Sequence, residues 1–470
     1  MAGLWRYCGG GLAGSYPRVL EFSRRAGWRT MHTLQVDGGD GEGSQGVKLF
    51  NSSWTFDDIP SSQLVRSVAV LKMTQYEPVV KYGPKLFSMA QSIPVVRESA
   101  NFVAKRTFFK QFCGGETLEE CVPLADRLQH KGVACIYDYS VEASPEKKGL
   151  APSPASYDQT ARIISDSIGF AHRHGHRAFV CVKVSGVVND SVLEKTSGAM
   201  MSGNLKTNMR QALKNLKFEN APGLTGNEVT EFMAGLDRLD MICQAGHQLD
   251  VPVLIDAEQY SLQAAIDLCA VAMQERYNKD KPLIYSTLQS YLKTAPARLD
   301  FLRESASEDN FKYALKHVRG AYMVSERKLA EKSGYSSPIC ESESLTHQQY
   351  DNHSRQMLHD VSENGAAALF ATHNASSLRS IAEDCLRMNI PKSSPRLHFA
   401  QLYGMGDTLT IGMAKAGFNA AKYVPYGPIS EALPYLSRRL EENNNALSGA
   451  PVDIQMFTEE LKKRDLILRL

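Results

Sequence analysis

The chain reads as an α/β protein whose strands alternate with helices, and three features of the sequence carry that reading. Eight short apolar or β-branched runs recur after residue 130, longer amphipathic stretches separate them, and each run ends in or beside a polar residue. Alternation of this kind implies βαβ units and a parallel sheet. Eight units are the count for a closed (βα)8, TIM-type barrel. An open doubly wound sheet shares the rhythm. When such a sheet binds a dinucleotide it usually carries a Gly-rich turn after its first strand, whereas the stretch here is YDYSVEAS.

Taken in order, residues 1–32 differ from the rest. Arg6, Arg18, Arg24, Arg25 and Arg29 face a single acid, Glu21, which is the composition of a mitochondrial or plastid transit peptide; a disordered basic tail reads the same way. Residues 33–50 are Gly-rich and polar and read as a linker. Over 51–130, apolar positions at threes and fours predict helices near Leu64–Tyr76, Val79–Ala90 and Leu118–His130. The runs follow at Val133–Tyr137, Ala178–Val184, Val251–Ile255, Pro282–Leu288, Leu315–Arg319, Ala366–Thr372, Leu397–Ala400 and Ala420–Val424. Thr225 and Glu228 have capping-box spacing ahead of a face with Val229, Phe232, Met233, Leu236 and Cys243. The barrel is expected over 131–447 and a helical tail over 448–470. No segment is apolar for long enough to span a bilayer.

Composition narrows the function. With 53 basic and 51 acidic residues the chain carries a formal charge of +2, which argues against nucleic acid as a partner. Nine cysteines are scattered with no CxxC pair and no metal-ligand spacing, so reduced core thiols are expected and no structural metal. No Ser/His/Asp or Cys/His arrangement stands out for nucleophilic catalysis, and no Gly-rich motif cradles a phosphate.

The polar residues at the run ends are the informative feature. They are Asp138, Lys183, Asp256, Gln289, Lys316 with Arg319, Thr372 with His373, Gln401 and Tyr423. In a barrel the C-terminal strand ends converge on one mouth, where active sites are built. Each has a plainer reading: Lys183 as a snorkelling edge lysine, Asp256 as the N-cap of the next helix, His373 and Asn374 as loop caps. A second cluster follows the eighth run. If Ser430–Asn443 is helical, Tyr435, Arg438 and Arg439 share a face, and Glu442 can pair with either arginine. Two arginines beside an aromatic ring make a seat for a carboxylate; a solvated basic helix end is the alternative. The residues thus describe an anionic small molecule held by cations and flanked by tyrosines, and redox chemistry there would need a cofactor.

The strings VKVSG, LIDAEQ, LQSYLK, HVRGAY, ATHNA, FAQLYGMGD and KYVPYGPISEALPYLSRRLEEN resemble those of the proline dehydrogenases, in family order over about Val133 to Asn445. The resemblance implies a distorted barrel that holds FAD non-covalently, and oxidation of L-proline to Δ1-pyrroline-5-carboxylate by hydride transfer from C5 to the flavin N5. It also implies delivery of electrons to a quinone and a mitochondrial matrix location, associated peripherally with the inner membrane. Lys183, Arg438 and Arg439 would bind the substrate carboxylate, with Tyr423, Tyr435, Leu402 and Tyr322 around the ring. Asp256 would orient the site. Gln289, Lys316, Arg319, Gly320 and Ala321 would contact the flavin or its diphosphate, with Thr372, His373, Asn374 and Gln401 along the dinucleotide. Glu442 would pair with an arginine, and Glu142 would gate one.

Two positions depart from the family pattern: Lys316 replaces an arginine of bacterial members, and His317 replaces an aliphatic residue. Lys206–Glu219 has no assigned role. Oxidation of trans-4-hydroxyproline is the alternative activity; its discriminator is Tyr423, which relatives of that kind replace with serine. A Schiff-base aldolase using Lys183 is the alternative of a different class.

Overall fold

Period-two alternation decides which side chains of the eight runs face the barrel axis, and the observed register follows it. The computed structural model describes residues 56, 59–140, 153–175, 177–217, 219–444 and 450–464. The expected targeting segment, the linker and Glu142 lie outside them.

Helices α1 (Ser61–Thr74), α2 (Glu77–Gln91), α3 (Pro94–Ala104) and α4 (Leu118–His130) precede the first strand. Next come β1 (Val133–Tyr139), α5 (Pro154–His174), β2 (Phe179–Val182), α6 (Asp190–Met201), α7 (Leu205–Leu216), α8 (Asn227–Leu249), β3 (Val253–Ile255) and α9 (Tyr260–Tyr277). The chain continues through β4 (Ile284–Gln289), α10 (Ala295–Glu308), β5 (Ala314–Val318), α11 (Met323–Ser333), α12 (Glu343–Glu363), β6 (Ala367–Ala371) and α13 (Ala375–Arg387). It closes with β7 (Leu397–Leu402), α14 (Asp407–Lys415), β8 (Ala420–Tyr426), α15 (Leu433–Asn444) and α16 (Ala450–Lys463). The strands pair in sequence order, all parallel, and β8 returns to β1 with Val133 opposite Ala420, so the barrel is closed and the open-sheet alternative falls.

The inner layer holds Ile136, Phe179, Cys181, Leu254, Tyr285, Ala314, Ala367, Leu369, Ala400 and Ala421. Large side chains on β1–β4 face alanines on β5–β8 across the axis, the complementarity that fills a barrel interior. The alternate residues, among them Val180, Val182, Val253, Ile255, Phe370 and Phe399, face the helices and form the main core.

Each predicted run overlaps its strand, with differences at the ends. β2 stops at Val182, so Lys183 opens a short turn (Val184–Gly186) rather than lying within the strand. Arg319 and Thr372 likewise fall one residue past β5 and β6. The N-cap of α8 is Gly226 rather than Thr225; the Glu228 carboxylate reaches back to the Thr225 N–H (3.4 Å), but the Thr225 hydroxyl does not cap. The last predicted helix starts at Leu433 instead of Ser430, with Pro434 in its first turn, where a missing N–H leaves no hydrogen bond unmade.

The unassigned stretch 206–219 lies largely in α7. Together with α6, this helix covers α9 and α10. Helix α9 needs that cover because it is buried on nearly every side, from Leu262 and Ala264 to Met273, and an all-round apolar helix must be enclosed.

The segments before and after the barrel form one body. Helix α1 packs on α16, the Phe56 and Phe457 rings meet edge-on at 5.3 Å, and Arg464 donates to the carbonyls of Phe56 (2.6 Å) and Ile59 (2.7 Å). Leu64, Leu71, Phe112, Tyr435 and Leu461 share a second core, and Leu402 and Tyr423 from the barrel mouth pack against it. The N-terminal helices and the helical tail, far apart in sequence, together form the roof of that mouth.

Candidate active site

Above the apolar interior layer, the next inward position on most strands is polar. This places Asp138, Lys183, Asp256, Gln289, Lys316 and Tyr423 around one opening, with Leu402 beside them. Lys183 donates to Asp138 at 2.5 Å, both buried. Lys316 pairs with Asp256, and the Tyr423 hydroxyl donates to the other Asp256 oxygen at 2.8 Å. The Lys316 ammonium lies 5.3 Å from the centre of the Tyr423 ring.

Burial alone would raise the Asp256 carboxyl, but the Lys316 and Lys183 charges outweigh it and hold its pKa below the usual range. Burial works against the Lys316 ammonium too, and Asp256 reverses the sign, so its pKa is raised. The pair is therefore ionised. Burial, followed by Asp138 and Asp256, pushes the Tyr423 phenol well up, which keeps it a neutral donor. Asp256 caps nothing: α9 begins at Tyr260 behind Gln259.

Helix α15 supplies the facing wall. Arg439 is buried with its guanidinium 5.0 Å from the Tyr435 ring centre, and the Arg438 guanidinium lies 5.2 Å over the Tyr322 ring. The structure thus brings Lys183, Asp256, Lys316, Leu402, Tyr423, Tyr322, Tyr435, Arg438 and Arg439 into one region. Of Glu442 only the backbone, in α15, is described.

The loops after β5 and β6 carry features suited to a dinucleotide. Arg319 donates to Thr372 Oγ1 (2.7 Å), Ser377 Oγ (2.9 Å) and His347 Nδ1 (3.0 Å) and stacks on Tyr350, so its hydrogen-bonded partners are neutral. Asp351 reaches it only through the Ser377 hydroxyl (2.7 Å), so no carboxylate among the described residues occupies the guanidinium directly and a diphosphate could. Gly320 has φ +136°, and a Cβ there would strike the Tyr291 ring at 2.4 Å; only glycine lets the backbone lie so close. Ala321 follows it, exposed. His373 Nε2 accepts from the Leu402 N–H (3.1 Å), which makes Nδ1 the protonated nitrogen; that buried N–H has no acceptor among the described residues. Burial, then Lys422 and Arg439, lowers His373 to about 3, so the ring is neutral. The Gln289 amide oxygen is also buried with no partner among the described residues, while its nitrogen donates to the Glu258 carbonyl at 3.0 Å. Two orphaned polar atoms, and a guanidinium with no carboxylate in direct contact among the described residues, fit a bound polar cofactor.

Two expected cofactor contacts sit differently. Asn374 caps α13, accepting from the Ser377 N–H at 2.9 Å, which is the plainer reading of that residue. Gln401 falls on an outward position of β7; its amide donates to the Thr372 carbonyl (3.0 Å) and accepts from the Thr410 hydroxyl (2.7 Å). It braces the Thr372 loop from behind and does not enter the mouth. His317 also faces outward, stacked on Tyr350 at 4.0 Å and bonded to Ser290 Oγ (2.6 Å); burial pushes its pKa well below normal, so it is a neutral core histidine.

Sequence reasoning missed Glu258 and Lys422. The buried Glu258 carboxylate accepts from the N–H (3.0 Å) and hydroxyl of Ser185, tying the loop of Lys183 to the loop of Asp256. Lys422 pairs with Asp407 (2.8 Å) and donates to the Leu402 carbonyl (3.2 Å), organising the loop that carries Leu402. Both stand inside quoted strings, LIDAEQ and KYVPYGP, so the pattern contained them although periodicity gave no reason to single them out.

A sequence profile described as proline dehydrogenase matches residues 121–450. The chain is 33% identical over 439 residues to proline dehydrogenase 2, mitochondrial, of Arabidopsis thaliana, covering 89% of this chain and 90% of the relative. It is 31% identical over 426 residues to proline dehydrogenase 1, mitochondrial, of Dictyostelium discoideum (86% and 73%). It is 28% identical over 428 residues to hydroxyproline dehydrogenase of Xenopus laevis (90% and 91%). Among solved structures, proline utilization A from Bdellovibrio bacteriovorus superposes with a TM-score of 0.62 at 18% identity, over 86% of this chain and 44% of that one, a likeness of fold.

Proposed function

The chain belongs to the proline dehydrogenase family, and on that premise we propose that it oxidises L-proline to Δ1-pyrroline-5-carboxylate in the mitochondrion, with FAD as cofactor and a quinone as final electron acceptor. The observation that carries the reading is the charge and shape of the mouth. Lys183, Lys316, Arg319, Arg438 and Arg439 outnumber Asp138, Asp256 and Glu258 there, and the cations stand beside Tyr322, Tyr423 and Tyr435. A small carboxylate with an apolar ring matches both features.

Lys183, Arg438 and Arg439 bind the carboxylate in this reading, and Tyr423, Tyr435 and Leu402 press on the ring. Asp256 holds the Tyr423 hydroxyl and the Lys316 ammonium in place, so the floor is fixed before substrate arrives. Loss of hydride from C5 draws on the amine lone pair, so the substrate ammonium must first shed its proton. The cationic excess of the mouth disfavours a charged amine and eases that loss. The roof of α1, α15 and α16 keeps bulk water from the ring. FAD, when bound, supplies the hydride acceptor; Arg319, Thr372, His373 and Gln289 are the residues that would hold it. An aldolase would need Lys183 as a neutral amine, whereas it is engaged as an ion-pair donor to Asp138.

The test is the visible spectrum of the purified protein. A flavin spectrum that bleaches with L-proline, and far more slowly with trans-4-hydroxyproline, is expected. Bleaching by hydroxyproline alone would transfer the reading to the sister activity, and a colourless active protein would remove it.

A further inference from the structure

We infer that the hairpin formed by α2 and α3 is the face by which this chain docks onto an anionic lipid bilayer. None of the described side chains of these two helices is buried. Tyr82, Leu86, Met89 and Ile93 recur at spacings of four, three and four, which lays them along one stripe of α2 and the turn after it. Leu86 is 63% exposed and Met89 65%. On α3, Val95 and Phe102, then Val96 and Val103, repeat one heptad apart, and Val95 is 84% exposed. A contiguous apolar surface of this kind on an otherwise well-packed chain marks an interaction site.

Charge selects the partner. The hairpin itself carries Lys81, Lys85 and Arg97 against Glu77 and Glu98, and Lys72, Arg106 and Lys110 flank it, a net +4 once Lys105 is set against its partner Glu116, in a chain whose total is +2. Lys81 and Lys85 adjoin Tyr82 and Leu86, so their stems can lie along the apolar stripe while the ammonium groups reach headgroups. A second copy would bring a like-charged face to this one, and the chain's own N-terminal residues are themselves Arg-rich; both combinations repel. Apolar side chains edged by lysine and arginine are the pattern of a helix lying in an anionic interface. No helix of the described residues is long and apolar enough to cross a membrane, so the hairpin lies on the bilayer.

This inference deepens the proposed function, whose acceptor is a quinone. Helix α2 rests on α15, the helix of Arg438 and Arg439, so docking there sets the mouth beside the lipid phase in which a quinone dissolves.

The experiment is flotation of the full-length holoenzyme with vesicles of phosphatidylcholine, and with vesicles of phosphatidylcholine and phosphatidylglycerol in equal parts, at low and high salt. Binding should be at least about tenfold tighter to the anionic vesicles and should weaken as salt rises. The double variants Leu86→Glu/Met89→Glu and Lys81→Glu/Lys85→Glu should each cut binding by about tenfold or more, with proline turnover on a soluble dye unchanged. That turnover separates lost docking from lost folding. An enzyme inactive on proline but still bound through this hairpin would sink the functional reading and spare this one. Equal affinity for the two vesicles overturns the inference. So does retained binding in both variants, or vesicle binding that vanishes on deletion of residues 1–32 alone.

Discussion

Arg439 is buried beside the Tyr435 ring, while its neighbour Arg438 stays half-buried over Tyr322. Removing one member of a buried, charge-paired contact costs about 2–5 kcal/mol. Arg439→Ala should therefore lose roughly one and a half to nearly four decades in kcat/KM, at ~1.4 kcal/mol per decade. A loss under about threefold with flavin retained would reduce the arginine pair to a solvated helix end. Tyr423 raises the question of specificity. Its ring packs against the roof, and its hydroxyl is committed to Asp256, so in the proposed binding mode Tyr423 itself offers a 4-hydroxyl no free partner. Tyr423→Ser should shift the ratio of kcat/KM toward trans-4-hydroxyproline, mainly because proline turnover falls. Apolar pockets discriminate against an added hydroxyl by only ~10²-fold, so the shift should stop short of reversal. An unchanged ratio, with flavin content matched, would take Tyr423 out of the specificity argument.

At the scale of elements, the β7–α14 loop is the clearest case of one segment held by several others. Lys422 of β8 grips it through Asp407 and the Leu402 carbonyl, and Asp453 of α16 accepts from the Gly406 N–H at 2.8 Å. Burial, then the Asp407 charge, raises the Asp453 carboxyl from 3.8 to about 7. Between those values the folded chain keeps a proton that the unfolded chain releases. The contribution of this group is thus most favourable below its unfolded pKa and declines as pH rises toward 7. Asp453→Asn keeps an acceptor for Gly406 and removes the charge. Its stability relative to the parent should improve from pH 5 to about pH 7 and level off by pH 8, a gain of roughly 2–3 kcal/mol across that window. Denaturant titrations at pH 5 and pH 8 measure this, and a gap that does not change with pH would refute it.

For the whole molecule, the roof closes on residues of the mouth, so barrel and roof are expected to unfold together. Ending the chain at residue 449 removes Phe457 and Leu461 from the second core. Burial of two such side chains is worth about 3–6 kcal/mol, and Gly406 loses its cap. That truncation should lower Tm sharply and release flavin. Deleting residues 1–32 should do neither, since their composition is that of a removable leader. Thermal melts with flavin fluorescence compare the two truncations directly, and equal damage from both would show that the N-terminal residues belong to the folded unit.

The sequence by itself determined the eight strands to within about two residues at each end, because a buried parallel strand must be an apolar run and a run has visible limits. It also determined which residue types gather at the strand ends and, through its motifs, the family. Tertiary structure decided what periodicity does not encode. Whether a residue next to a strand end faces the mouth or the helices depends on register, which is why Lys316 and His317, adjacent in the chain, became an ion-paired site lysine and a neutral core histidine. Partners distant in sequence were equally invisible: Ser185 with Glu258, Gly406 with Asp453, Phe56 with Phe457. Each joins segments that meet only when the barrel closes, so helices at the two ends of the sequence come together as the roof over its mouth.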